Sequence, residues 1–431
     1  MNYISIINLI FLIIYALLSI YLFHFIFFAL SGLFHHKKYP ISEKLNKYGL
    51  IISCKDEENV IPRLIDSIHH ADYPQDKLDI IVIAHNCNDN TEEVARKLGA
   101  RVIIDNNKEE KTLGCAYRYA FKQINVDEYD GFIFFNADNT LKKDFFRKMN
   151  DAFNYYNGEN VITSFRHSLN MKEGILPCLY SYYFSTCCLL VFSGRNNFNV
   201  TGRITGCGFL IPSKKLVNGW DSISITEDIE YSTKAVLNGD TIHYCNEAIF
   251  YDEQPLDIKT MWFQRLRWSK GLITNSKTYF FKILKTLFKK DHKNKMSLYT
   301  ALTFSSFISL IYFFLLILQI GLLLLSPLFG ISLNEAFLYW NYELPWYTNL
   351  FISLNIGGVY SLIKSIASFV IYSYLTALMV LISGHDKYKE APIFKMSIAF
   401  ILFPLFIFLQ IPLDLTSLFI KNIKWRKVNH G

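Results

Sequence analysis

None of the eight cysteines in this 431-residue chain pairs as CxxC, and no regular spacing joins them. That absence argues against a zinc site and against a secreted disulfide framework, and it fits free thiols in a reducing compartment. Cys187 and Cys188 fall in an aromatic run, where a small buried hydrophobe is the plain reading. Also missing is any Asp, Glu, Lys or Arg between Ile4 and Leu33. No basic leader precedes this run, and it is about twice as long as the roughly 7–15-residue apolar core of a cleaved signal. A membrane-spanning helix over 1–33 is therefore expected, since roughly 20 apolar residues cross the hydrocarbon. The formal net charge is +7, yet no basic patch interleaved with aromatics appears, so nucleic acid is not an expected partner.

The chain is 51% hydrophobic, with 37 Phe and 27 Tyr, but its middle is too charged for a pure membrane bundle. Two media are implied, lipid and water. His35, His36, Lys37 and Lys38 follow the first apolar run, and Lys289, Lys290, Lys293 and Lys295 precede the next. Basic flanks on both membrane sides predict a cytosolic region over 34–295 that meets lipid headgroups at its edges. Three apolar stretches follow, Leu298 to Leu328, Leu350 to Ser383 and Met396 to Ile420, giving a membrane region over 296–420. If each crossed once, the basic tail 421–431, with Lys421, Lys424, Arg426 and Lys427, would lie outside. The third stretch, with Pro404 and Pro412, is expected to re-enter or lie at the interface, leaving the tail cytosolic. Trp340, Tyr342, Trp346 and Tyr347 suit an outer aromatic belt. Lys364 is expected to face a channel or a protein partner, because a lipid-facing charge costs roughly 2.5–3.5 kcal/mol. The run Gly174 to Ser193 reads equally as an interfacial helix or a buried core helix.

From Tyr48 onward, short β-rich runs alternate with polar helical stretches, which predicts a doubly wound α/β domain. Strands are expected at Leu50 to Ser53, Asp79 to Ala84, Arg101 to Ile104 and Phe132 to Asn136. Helices are expected at Asn59 to His70, Thr91 to Leu98 and Thr112 to Gln123. Ligands bind such sheets beyond the carboxyl ends of the strands. Polar clusters follow three of the strands: Cys54 to Glu58, His85 to Thr91 and Ala137 to Asn139. Each also suits an ordinary strand-end turn, and Asn90 or Thr91 also suits a helix cap. Asp138 is the candidate ligand for Mg²⁺ or Mn²⁺ beside a sugar diphosphate.

Further along, Thr226-Glu227-Asp228 opens a helical stretch with Thr226 as its expected cap. Two acids in a first turn are favoured in ionised form, and an ionised Asp serves as a general base; equally, the pair suits a plain helix start. On a helix, Gln264, Arg267 and Trp268 stand at i, i+3 and i+4 and share a face, either to grip a diphosphate and stack on a sugar or to anchor at headgroup level.

With these segments in order, the chain resembles the membrane-bound family 2 glycosyltransferases, the group of cellulose, chitin and hyaluronan synthases. The resemblance rests on ISCKDEEN, AHNCNDNT, GCAYRYAF, FFNADN, TED and QRLRW, and covers nearly the whole length. It implies a GT-A-like domain with one N-terminal and about three C-terminal membrane or interfacial segments. It further implies that Cys54, Glu57 and His85 border the nucleotide and that Asn136 and Asp138 lie at the diphosphate, with Asp138 on the metal. Asp228 would be the base with Glu227 beside it; Gln264, Arg267 and Trp268 would hold the diphosphate and shape the acceptor site; Thr205 and Gly206 would approach the acceptor. Two departures stand out: His85 where the family has Asp, and Asn136 where it opens an Asp-x-Asp element. Three functions follow: a polysaccharide synthase using a UDP-hexose, a transferase adding one sugar to a lipid, or a non-catalytic membrane scaffold. Partner subunits are unspecified.

Overall fold

The computed structural model describes residues 3–110, 112–289, 292, 294–303, scattered positions between 310 and 321, and 358–420. Strands β1 (Tyr48–Cys54), β2 (Leu78–His85), β3 (Arg101–Asp105) and β4 (Gly131–Asn136) pair in parallel in the order β3-β2-β1-β4. Nearly every residue of β1, β2 and β4 is buried, as expected for a parallel sheet covered on both faces. Helix α2 (Ile61–His69) supplies one cover by turning Ile61, Leu64, Ile65 and Ile68 inward, the i, i+3, i+4, i+7 spacing of one helical face. On the opposite face α4 (Leu113–Ala120) buries Ala116, Tyr117 and Ala120 against Phe132 and Phe134. Between β2 and β3 runs α3 (Thr91–Lys97). All four expected strands and three expected helices are present, with ends shifted by a few residues.

Past β4 the sheet ceases to be doubly wound. The remaining order is β7 (Phe209–Pro212), β6 (Val161–Ser168), β8 (Ile242–Asp252) and β5 (Thr140–Leu141), with β7 antiparallel to β4 and β6, and β8 parallel to β6. A mixed eight-stranded sheet results. Helix α5 (Phe145–Tyr155) packs under β8. The chain runs outward from β1 through β2 to β3 and then returns to β4 on the other side of β1, so the switch point and its crevice lie between β1 and β4, where Ser53 pairs with Asn136 and Cys54 closes β1.

A second body of apolar helices packs on β6 and β8. Helix α1 (Tyr3–Phe34) crosses the segment formed by α6 (Ile175–Ser185), a π-helical turn at Thr186–Phe192 and α7 (Ser193–Asn197). The crossing is close because both helices present glycine. A Cβ on Gly194 would fall inside the Phe28 carbonyl, and one on Gly32 inside the Leu190 carbonyl. Small residues at a crossing let helix backbones approach, as in membrane bundles. The 175–197 segment is long and apolar enough to span a bilayer, yet 72% of its hydrophobic window is buried within the protein. Of the two readings of Gly174 to Ser193, the buried core helix is the one observed.

Helix α8 (Glu227–Leu237) leads through β8 to the 30-residue α9 (Ile258–Leu287) and then to α10 (Lys295–Leu302). Near the C-terminus, α11 (Gly358–Ser383), α12 (Ile393–Phe408) and α13 (Gln410–Phe419) follow. Segments 366–383 and 393–419 are long and apolar enough to cross a membrane and only 22% and 39% buried. Pro404 sits within α12, whereas the break falls at Leu409, and Pro412 occupies the first turn of α13, where a missing N–H costs least. Trp340, Tyr342, Trp346, Tyr347, the tail 421–431, the Lys364 side chain and most of Leu298 to Leu328 lie outside the described residues.

Candidate active site

At the ends of β1 and β2, Asp56 and Asn86 hold φ of 59° and 54°. Asp and Asn tolerate this left-handed region better than most residues, and such positions gather at working sites. The two loops are sewn together. The Asn88 N–H donates to Asp56 at 2.5 Å, Glu57 N–H to the Thr91 hydroxyl at 2.8 Å, Glu58 N–H to Asp89 at 3.1 Å, and Asn90 N–H to Glu58 at 2.9 Å. Asp89 also accepts from Thr91 N–H at 3.0 Å, so this aspartate, and not the side chain of Asn90, finishes the start of α3. Asp56, Cys87 and Asp89 group closely enough for a metal ion, but both carboxylates already accept backbone N–H bonds, which makes the cluster a loop clasp.

Cys54 closes β1 in full burial, and burial pushes its thiol well up, which leaves it a packing group rather than a nucleophile. His85 is buried at the end of β2 and its Nδ1 lies 2.9 Å from a carboxylate oxygen of Asp105, its register partner on β3. Asp105 was not expected from the sequence. Its sign is the position itself: the last residue of β3, opposite His85 in a register that only the pairing reveals.

At the end of β4, Asn136 N–H donates to the Asn139 side chain at 3.0 Å, and the Asn139 amide donates to Asp138 at 3.1 Å and to Asp252 at 2.7 Å. Asp252, 2% exposed, also accepts from Gln254 at 2.5 Å and from both Nε (3.0 Å) and Nη2 of the buried Arg166. That guanidinium donates to the Thr205 carbonyl at 3.1 Å and lies 3.9 Å over the Phe184 ring. Buried charges persist when paired and hydrogen-bonded, and here one pair ties β4, β6, β8 and the 205–206 loop. Arg63 adds bonds to the Asp138 carbonyl at 3.3 Å and Glu253 at 2.6 Å. Asp252 and its partner Arg166 stand 86 residues apart in the chain, so the pair is visible only in the fold.

Across the crevice, Glu227 and Asp228 open α8. Burial, then the neighbouring Asp228 charge, push the Glu227 carboxyl upward. Burial also pushes Asp228 up, but Arg203 and Arg267 pull it back, so Asp228 is the member held nearer ionisation. Thr226 occupies the cap position but makes no capping bond. Its side chain instead fills the space left by Gly271 on α9, where a Cβ would collide with it. Cys207 is buried and feels the charges of both Asp138 and Asp228.

The QRLRW segment divides. Arg267 donates to the Ile225 carbonyl at 3.2 Å, on the side of the carboxylate pair. Gln264 accepts from the Tyr180 hydroxyl at 2.8 Å, and Trp268 meets Tyr180 and Phe184 edge-on, with ring centroids 6.2 and 6.1 Å apart. The three residues therefore span an arc of α9 and serve two neighbours, not a single one. Thr205 and Gly206 sit in a turn, with φ of 83° at Gly206, and Thr205 is fixed through its carbonyl by Arg166. Arg265 was overlooked: it is 2% exposed, donates to the Phe406 carbonyl at 2.9 Å and to Gln410 at 3.0 Å, and so binds α9 to the break between α12 and α13.

A model of the family described as glycosyltransferase like family 2 matches residues 46–271, just over half of the chain. A probable glycosyltransferase, YdaM, of Bacillus subtilis is 23% identical over 350 residues, covering 77% of this chain and 80% of that protein. The poly-β-1,6-N-acetyl-D-glucosamine synthase of Staphylococcus aureus is 24% identical over 283 residues, and the chain spans only 65% of its length. Among solved structures, the mannosyltransferase PcManGT from Pyrobaculum calidifontis, in complex with GDP-Man and Mn²⁺, superposes with a TM-score of 0.51 at 12% identity over 88% of this chain and 99% of that one. That likeness speaks for the fold, a GT-A-like sheet with apolar helices attached. Because the matched segment runs from the start of β1 to Gly271 and so holds every residue of the crevice, the chain belongs to glycosyltransferase family 2 and is a glycosyltransferase.

Proposed function

We propose that the chain is an inverting hexosyltransferase that extends an exported polysaccharide from a nucleotide-sugar, with UDP-hexose as donor. The carrying observation is the carboxylate pair at the start of α8, Glu227 buried and Asp228 half-buried, with Arg267 bonded to the Ile225 carbonyl just before it and the charges of Arg203 and Arg267 acting on Asp228. Asp228 takes the proton of the acceptor hydroxyl while its oxygen attacks the anomeric carbon, and the nucleoside diphosphate leaves from the opposite face. Glu227, pushed up beside it, holds a proton and keeps the pair from carrying two charges. Arg267 faces the departing diphosphate, Trp268 and Gln264 form the sugar and acceptor wall, and Thr205 and Gly206 present the turn that meets the acceptor.

The nucleotide lies over β1 and β2, bordered by Cys54, Glu57 and His85. With Asp105 on Nδ1, His85 offers Nε2 as an acceptor, which the Asn86 side-chain amide meets at 3.3 Å and which a ring N–H of the base would take over. Mg²⁺ or Mn²⁺ belongs to this reading. Asp138 and the amide oxygen of Asn136 are hard oxygen donors of the kind both ions accept, and one carboxylate suffices where phosphates complete the shell. Bound there, the ion offsets the pyrophosphate charge.

The domain from 34 to 295 works on the cytosolic side, with α1 and the C-terminal helices in the membrane. The third apolar segment re-enters or lies at the interface in this reading, which leaves the basic tail cytosolic. Past the break at Leu409, α13 turns Gln410, Asp414 and Ser417 onto α9, where Gln410 donates to Ser269 at 2.9 Å and Lys270 to the Ser417 carbonyl at 3.2 Å. A polymer product is supported by the likeness to a poly-β-1,6-N-acetyl-D-glucosamine synthase. Radiolabelled donors supplied in turn to the purified protein test the reading. Ethanol-insoluble polymer from a UDP-hexose, lost by about 10²–10⁴-fold in a folded Asp228→Asn variant, is the expected result. An unchanged rate in that variant removes Asp228 from the chemistry.

A further inference from the structure

Arg195 is a buried cation with no salt bridge among the described residues. It lies on α7, is 6% exposed, and among the described residues its Nε has no hydrogen-bond partner. Its Nη2 donates to the Thr303 hydroxyl at 3.4 Å, just beyond α10. The ionisable groups close enough to act on its charge are Tyr21, Arg203 and Cys187, and no carboxylate is among them. Among the described residues, Nε is thus held out of water with no partner and Nη2 makes one long bond. A guanidinium so placed costs several kcal/mol unless an anion joins it.

Its surroundings say where that anion comes from. The glycine contact of α7 on α1 at Phe28 sets Arg195 against α1, and His24 of α1 meets Tyr299 edge-on and Thr300 at 3.4 Å, so α1, α7 and α10 converge here. Phe23 and Phe27 on the same stretch of α1 are 72% and 44% exposed, an apolar face turned away from the protein. On its other side stands Arg203, which also acts on Asp228 and lies two residues before the Thr205–Gly206 turn. The two arginines therefore run from an apolar helix face to the carboxylate pair.

We propose that Arg195 and Arg203 form an anion site that takes the phosphate head group of a membrane lipid and holds it on the acceptor side of Asp228. Basic pockets between membrane helices bind such head groups, and a guanidinium matches phosphate through paired N–H bonds. The site rests on the proposed function for the direction of the acceptor, not for the binding itself. The lipid is either an acceptor or primer bearing a phosphate or a resident anionic phospholipid; the chemistry of binding is the same.

The full-length protein in nanodiscs of phosphatidylcholine provides the test. Short-chain polyprenyl monophosphate, phosphatidylglycerol and inorganic phosphate are added in separate arms, and the thermal midpoint and labelled product are followed for the wild type, Arg195→Gln and Arg195→Lys. A lipid phosphate is expected to raise the wild-type midpoint, with apparent affinity weaker by about tenfold or more in Arg195→Gln and restored in part by Arg195→Lys. UDP binding is measured on each variant as the check that it is folded. Stabilisation by the polyprenyl phosphate with organic-soluble product identifies an acceptor, and equal stabilisation by phosphatidylglycerol without such product identifies a resident lipid. A wild type indifferent to both lipids, a response to inorganic phosphate alone, or an Arg195→Gln response equal to wild type overturns the site. None of these outcomes depends on the Asp228→Asn result, so the two readings fail separately.

Discussion

The two halves of the crevice are built differently. On the β1–β2 side, the loops after the strands are joined by hydrogen bonds between half-exposed side chains and backbone N–H groups of residues 54–58 and 85–91. Beyond β4, a single buried ion pair, Arg166 with Asp252, gathers Asn139, Gln254 and the Thr205 carbonyl from four stretches of chain. The first half is a set of modest bonds, each replaceable. The second concentrates its energy in one desolvated pair, and losing either partner strands the other's charge.

That contrast yields its sharpest test in Arg166→Leu, which leaves Asp252 buried and alone. A loss of about 3–5 kcal/mol is expected in chemical or thermal unfolding. Thr91→Val, which removes the hydroxyl that accepts from the Glu57 N–H and donates to Asp89 on the other half, should cost about 1–2 kcal/mol. Equal losses would erase the distinction between the halves.

His85 is tested for the donor contact proposed for it. His85→Ala should raise the KM for nucleotide-sugar roughly tenfold with kcat little changed, the pattern of a lost uniform binding contact. A fall in kcat with KM unaltered would move His85 from the base to the reacting centre.

A further test is the pH signature of Glu227. Its folded carboxyl is raised from 4.5 to about 8, so the folded form favours the proton. The stability it contributes is full below the ordinary glutamate value and lost as pH rises through the raised one. Glu227→Gln should flatten this slope in nucleotide-free protein, seen as a wild-type minus variant midpoint that declines across that window. A difference constant with pH would mean the pair does not share its proton as described.

What the sequence made legible follows the same division. The strands of the β3-β2-β1-β4 unit are short apolar runs, and their sites sit directly after them, so Cys54, His85 and Asp138 were found by position along the chain. Asp228 was found because two acids opening a helix are visible in three letters. Asp105, Arg166 and Arg265 were not, since each acts through a partner on another element: His85 across a strand pair, Asp252 at 86 residues' separation, and Phe406 at 141. The expected cap at Thr226 failed for a similar reason. Its hydroxyl is drawn toward the gap at Gly271, a contact set by how α8 meets α9. The shared face of Gln264, Arg267 and Trp268 was correct as helix geometry, but the neighbours on either flank divide it.

The glycine seam between α1 and α7 carries a practical consequence. Gly32 and Gly194 bring two backbones together with no side chain between them, so the first helix forms one wall of the enzyme's interior. Trimming the chain after Phe34 to obtain a soluble catalytic fragment would strip that wall, bare the carbonyl-lined π turn to solvent and open the pocket around Arg195. Preparations intended for assay are better kept whole in a lipid disc than shortened for convenience.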